Sequence, residues 1–279
     1  MKILIKPEKK NIKYWIKSLI PPKDVWFFRR KPTFVGCKIL TIDKYLEQYD
    51  LISYNNAYCH WLIKNYAKYV IVDESNSWIL SLSQCDRDIV YREQIKCERG
   101  LIVENIQQFD NIKALTEMIC NNMIILSNAT FKNLGNDIKE KIVINYAMEQ
   151  DDWATYELPR EIKSLSIANK FIDNDGCNCL ATVLFAITKN KQYLQQWVTQ
   201  DEFVCNLNGY TEINNEEFQY GDVVIFYDDN NIQHSCFALN DKLFLNKSGQ
   251  SKFNPILVLT FDDIKNDWQT LRYKVLRKR

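Results

Sequence analysis

The chain has 279 residues, 46% of them apolar and 25% charged, with a formal net charge of +1. These are ordinary globular values, and the length suits one large domain or two smaller ones. A near-neutral balance without a clustered basic face gives no ground for a nucleic-acid partner, and few Gly and Pro argue against long disordered tails.

Lys6, Lys9 and Lys10 interrupt the opening segment, so it lacks the run of about 7–15 apolar residues of a signal peptide. No window approaches the roughly 18 apolar residues of a membrane span. The expectation is a cytoplasmic protein with no membrane partner. Nine cysteines, an odd number without a repeating pattern, fit reduced and mostly buried residues better than a disulfide framework. The basic residues at both ends, Lys2 and Arg277 among them, read as solvated.

In chain order, Lys2–Ile5 and Val25–Phe28 read as short strands, with Pro21-Pro22 as a break. Ile42, Tyr45, Leu46 and then Tyr58, Trp61, Leu62, Tyr66 recur at three- and four-residue spacings, which predicts helices. Tyr69–Val72 and Ser77–Leu82 read as extended. Ile106–Met118 and Asn136–Met148 read as helices. A polar break at Glu149-Gln150-Asp151-Asp152 divides the chain. Residues 1–148 form a mixed α/β region without assignable chemistry, and residues 149–279 form a second domain.

That second domain opens with a helix over Asp175–Thr188, entered through a Gly-containing turn. Strands follow at Asp222–Tyr227, Ile232–Leu239, Leu243–Asn246, Ile256–Phe261 and Leu271–Leu276, with a short helix from Asp262 to Asp267. Helices followed by a mostly antiparallel sheet of about five strands define an α+β domain.

The chemistry-bearing residues cluster there. Cys179 stands where a polar turn enters an apolar helical run. A helix N-terminus favours a thiolate, and its free N–H groups can hold an oxyanion. Cys177, two residues earlier, competes for the nucleophile's role but does not directly precede the apolar run. Only two histidines are present. His60 lies in an aromatic helical stretch and reads as a core residue. His234 opens a strand and supplies a base. Asn246, twelve residues on, can accept the second ring N–H and fix the tautomer. That pairing makes a demand on the turn at Asn240-Asp241. A two-residue loop sets His234 against Lys247 and turns Asn246 to the other face, whereas a three-residue loop or a bulge brings Asn246 opposite His234. Asp222 reads as a turn residue. A zinc site drawn from Cys177, Cys179, Cys205, Cys236 and His234 lacks the usual ligand spacing.

The order of Cys179 at a helix start, Gly221-Asp222 leading a strand, His234 at the start of the next strand and Asn246 after it resembles the NlpC-type superfamily of papain-like cysteine peptidases and amidases. The resemblance covers roughly the last 110–130 residues. It implies a helix-borne cysteine packed on a mostly antiparallel sheet, with Cys179 as nucleophile, His234 as base and Asn246 as the orienting residue. It further implies hydrolysis of a peptide or small amide through an acyl-thioester. Cell-wall stem peptides are the family's commonest substrates, and no cofactor or metal is called for. Asn178-Cys179-Leu180-Ala181 departs from the family's frequent Asp-Cys-Ser-Gly. Two other readings stay open: acyl transfer at the same site, and a binding protein on a catalytically degenerate papain-like fold.

Overall fold

The structure is a computed structural model, and it describes every residue except 35–36, 50, 105–108, 110–111, 214–216 and 230. The fold is α+β with antiparallel sheets. The chain divides into two compact units: residues 12–149, and residues 150–279 together with residues 1–11. The division at Glu149/Gln150 falls on the polar break. Residues 1–11 belong to the C-terminal unit because Ile3 and Leu4 pair with Thr155 and Ala154. Among the described residues, no helix is long and apolar enough to cross a membrane.

In the N-terminal unit, Asp24–Phe28, Tyr69–Asp73 and Ile39–Thr41 form a three-stranded antiparallel sheet. The helix Gln84–Lys96 reaches this sheet through Gln94, whose amide bonds both the N–H and the C=O of Phe27, at 2.9 and 3.0 Å. A second small sheet joins Ile102–Val103, Met123–Ile125 and Ile119–Cys120. His60 is buried and hydrogen-bonded to Tyr45 Oη at 2.9 Å, a core histidine.

Two sequence expectations fail in this unit. Ser77–Leu82 is not extended: Trp78–Ser81 is a helical turn, started by the Asp73 carboxylate, which accepts the Trp78 N–H at 2.8 Å. Of the helix expected over Ile106–Met118, residues 106–108 and 110–111 lie outside the described residues. The stretch Ile112–Met118 is 3₁₀ rather than α-helical.

The C-terminal unit carries β1 (Ile3–Leu4), β2 (Ala154–Thr155), α1 (Cys179–Thr188), α2 (Gln200–Asn206), β3 (Tyr210–Ile213), β4 (Val223–Asp228), β5 (Asn231–Ala238), β6 (Leu243–Asn246), β7 (Leu257–Thr260), α3 (Phe261–Asp267) and β8 (Arg272–Lys278). Strands β3 to β8 form one six-stranded antiparallel sheet, ordered β7-β6-β5-β4-β8-β3. The sequence expectation of five strands omitted β3, whose four residues Tyr-Thr-Glu-Ile carry no period-2 alternation to mark a strand.

Period-2 alternation gives this sheet two apolar faces. Val223, Ile225, Phe237, Leu239, Leu245 and Val258 pack with Ala181, Leu184 and Phe185 of α1. Val224, Phe226, Cys236, Ala238, Phe244 and Leu259 pack on the other side, with Ile264 of α3. Helix α1 is apolar nearly all round and buried accordingly. It begins four residues later than expected. Gly176 takes φ +113°, and its N–H bonds Gln250 O at 3.2 Å, so residues 175–178 form a loop. Asn178 then caps the helix, its Oδ1 accepting the Ala181 N–H at 2.9 Å. Nor is the carboxy-terminal strand a solvated end. The Arg277 guanidinium grips the buried Asp222 carboxylate through two bonds of 2.7 Å. Asp222 also accepts the Gln219 N–H, which makes it a structural turn residue.

Candidate active site

The hairpin between β5 and β6 settles the demand placed on Asn246. Leu239 pairs with Leu243 through a 2.7 Å bond. The loop therefore has three residues, Asn240 to Lys242, and Asn240 Oδ1 accepts the N–H groups of Lys242 and Leu243. The register runs Phe237–Leu245 and Ala238–Phe244. Extended by one face-equivalent pair, it sets Asn246 across from Cys236, diagonal to His234 and on the same face rather than directly opposite it. The diagonal is bridged: His234 Nε2 and Asn246 Oδ1 lie 2.7 Å apart, and both residues are buried.

His234 is held on three sides. The Trp268 ring, just past α3, stacks on the imidazole at 4.7 Å and 13°. Phe226, its cross-strand partner, lies 5.9 Å away. Asn246 takes Nε2–H, which leaves the lone pair of the neutral ring on Nδ1. Burial pushes the imidazole pKa down to about 4, against the Asn246 hydrogen bond, which raises it. At neutral pH the ring is therefore uncharged, as a base must be.

Cys179 is the first residue of α1 and is half-buried as a residue. Asn178 Oδ1 serves Ala181 N–H, and Asn178 O serves Thr182 N–H. Among the described residues the Cys179 N–H, in the first turn of the helix, has no backbone acceptor, so it can serve an oxyanion. Strand β6 ends at Asn246, and past that point the Ser235 N–H faces the Cys179 sulfur. Burial pushes the thiol up to about 11. The N–H groups of Ser235 and Leu180 and the charge of Lys247 pull the other way without prevailing. The low thiol pKa expected of a helix start is thus overturned by desolvation in the free protein.

Cys179 and His234 line one cavity of about 330 Å³. His234 and Asn246 belong to the sheet face away from α1, and Cys179 arrives from the α1 side where β5 and β6 part. The structure brings His234 and Asn246 into direct contact. It places Cys179 on the same cavity, but among the described residues no hydrogen bond joins its sulfur to the ring. Cys177 is fully buried and its thiol faces Thr182 at 3.6 Å, away from the cavity lining.

The remaining walls are Asn178, Leu180, Trp197, Val198, Gln200, Ile232 and Gln233, with Ser248–Gln250. Trp197 is 45% exposed, so it is a rim residue rather than core. None of the lining side chains carries a formal charge at neutral pH. Sequence reasoning missed Trp268 and Lys247. Trp268 is 34 positions from the histidine it covers, and a lysine ordinarily reads as solvated. All nine cysteines are free, but only Cys97, Cys120, Cys177 and Cys236 are buried. Among the described residues, no group of three or more His, Cys, Asp or Glu could hold a metal ion.

No protein-family model, curated protein or solved structure matches the chain.

Proposed function

We propose that the C-terminal unit is a papain-like, NlpC-type cysteine hydrolase of peptides or small amides, acting through a Cys179–His234–Asn246 triad. The observation that carries this reading is the buried 2.7 Å bond from His234 to Asn246, on the cavity that Cys179 enters from a helix start. That bond fixes the tautomer with Nδ1 as the proton acceptor.

In the reaction, Cys179 Sγ–H gives its proton to His234 Nδ1 as the sulfur attacks the amide carbonyl. The Cys179 N–H holds the oxyanion. The tetrahedral intermediate collapses to a thioester, and the imidazolium returns the proton to the departing amine. Water, deprotonated by the same ring, then attacks the thioester and releases the acid and the thiol. An amine or alcohol in place of water would give acyl transfer. The thiol and the imidazole are both neutral in the free protein, so proton transfer accompanies attack instead of preceding it.

The uncharged lining favours a substrate that presents an uncharged group at the scissile amide, because a charge brought there loses hydration without a partner. The glutamine amides suit a peptide backbone, and Trp197 offers an apolar surface.

A specific observation favours the second reading, a binding protein on a degenerate papain-like fold: the sulfur and the ring are not hydrogen-bonded and the thiol pKa is raised. Alkylation by iodoacetamide near neutral pH, followed by peptide mapping, separates the two. Because His234 takes the thiol proton as the sulfur attacks, the hydrolase reading expects Cys179 to be labelled much faster than exposed Cys85 or buried Cys97 despite its raised thiol pKa. Cys179 no faster than Cys85 would overturn it, and preferential labelling of Cys177 would move the nucleophile by two residues.

A further inference from the structure

Lys247 is fully buried, and it follows Asn246 directly in the chain. Lysine is almost never buried to this degree without an anionic partner, because removing an ammonium from water is costly. Among the described residues Lys247 has no salt bridge. Its Nζ donates instead to two neutral carbonyls, Gly249 O at 2.6 Å and Ser251 O at 3.0 Å. A Leu or Met would fill the same space more cheaply.

The position of the charge is informative. Ser248, Gly249 and Gln250 form one wall of the cavity that holds Cys179 and His234. Lys247 ties the start of that wall from within. Its far end is tied by Lys252, whose ammonium meets Asp175 at 3.0 Å in a buried pair, while Gly176 N–H bonds Gln250 O. The wall is thereby joined to the loop that leads into Cys179. The charged and titratable groups that act on Lys247 are Cys177, Asp151, Cys179 and Asp175. Asp175 is engaged by Lys252, and Cys177 is inert in the core. Lys247 in turn favours the ionised form of Cys179.

We propose that Lys247 is a positioning residue of this site: its buried ammonium fixes the Ser248–Gln250 wall and is the standing positive charge against which the Cys179 thiolate forms. The proposal rests on Cys179 being the nucleophile. With His234 neutral, the lysine does the electrostatic part of what an imidazolium would do. Burial holds the ammonium down to about pKa 8, so its charge is present at neutral pH and lost above that value.

The test is the pH profile of Cys179 alkylation by iodoacetamide in the full chain, read by peptide mapping. Lys247→Met is expected to slow labelling of Cys179 about tenfold at pH 7 and to move its profile to higher pH, one charge near a thiolate being worth about a pKa unit. Lys247→Arg is expected to recover most of the rate at neutral pH, which a purely structural role would not require. A Lys247→Met protein with native circular dichroism and an unshifted profile overturns the proposal. If that variant does not fold, the wild-type profile still decides. Discharge of the ammonium near pH 8 makes the labelling rate rise less than tenfold per pH unit between about pH 7.5 and 9.5, and a full tenfold rise per unit throughout overturns the proposal. Loss of Cys179 selectivity in the wild-type protein refutes the hydrolase reading itself, whereas selective labelling that ignores position 247 refutes this inference alone.

Discussion

The buried neutral imidazole makes a quantitative demand on stability. His234 is 1% exposed, sandwiched between Trp268 and Phe226, and its pKa falls from 6.5 to about 4 on folding. Because the folded value lies below the unfolded one, the unfolded chain binds the proton first as pH falls. The stability associated with this group is therefore complete above about pH 6.5 and drains away as pH drops toward 4. Each pKa unit is worth about 1.4 kcal/mol, so about 2.5 kcal/mol is lost between pH 7 and pH 4.5. Carboxyls whose pKa is raised act in the opposite sense. Burial pushes Glu149 up to about 7 and Asp151 up to about 6, and both stabilise the fold as pH falls. They are common to the wild-type protein and His234→Gln, so the difference between the two proteins isolates the imidazole. Urea unfolding followed by tryptophan fluorescence at pH 7 and 4.5 is the assay. The wild type is expected to lose about 2.5 kcal/mol more than His234→Gln over that interval. Parallel losses in the two proteins would mean that the ring is not held neutral in the fold, and the account of His234 as a prepared base would fail.

Two further outcomes follow from the same geometry. Asn246→Ala removes the 2.7 Å partner of a buried ring. It should lower kcat of amide hydrolysis by roughly 5- to 150-fold with a smaller change in KM, as 1–3 kcal/mol of lost orientation implies; an unchanged kcat would remove Asn246 from the triad. Replacing the Asn240–Lys242 loop by Asn-Gly shortens it by one residue and slips β6 by one position. That turns Asn246 to the α1 face and should abolish hydrolysis, with near-native secondary structure in circular dichroism; retained activity would show that the register does not place the third residue.

Much of the C-terminal sheet is legible in the sequence because its strands are compact runs of β-branched and aromatic residues between Asn/Asp turns. Strand β6 matches the expected residues, and β4, β5, β7 and β8 lie within two residues of them. The elements that carry Cys179, His234 and Asn246 were legible for the same reason: a polar turn before an apolar helix and two adjacent strands are local patterns. What was not legible depends on contacts that the apolar pattern of the chain does not report. The Trp78 turn is nucleated by a carboxylate five residues earlier. The thiol pKa is decided by how much protein closes over Cys179, and chain order does not report burial. The register of Asn246 turned on a loop that two polar residues alone left ambiguous, since Lys242 could belong to the turn or to the strand.

The pairing of Ile3–Leu4 with Ala154–Thr155 makes the C-terminal unit discontinuous in sequence, with residues 12–149 as an insertion within it. A ribosome delivers the first strand of this unit roughly 150 residues before its partner, and the closing loop is long and entropically slow to find. The salt bridge from Lys2 to Asp263 is made later still. The unit therefore cannot finish folding as it is synthesised: its first residues wait, unpaired, for a partner at the far end of the inserted domain. A fragment that begins at residue 150 carries Cys179, His234 and Asn246 yet lacks the strand that pairs with Ala154–Thr155.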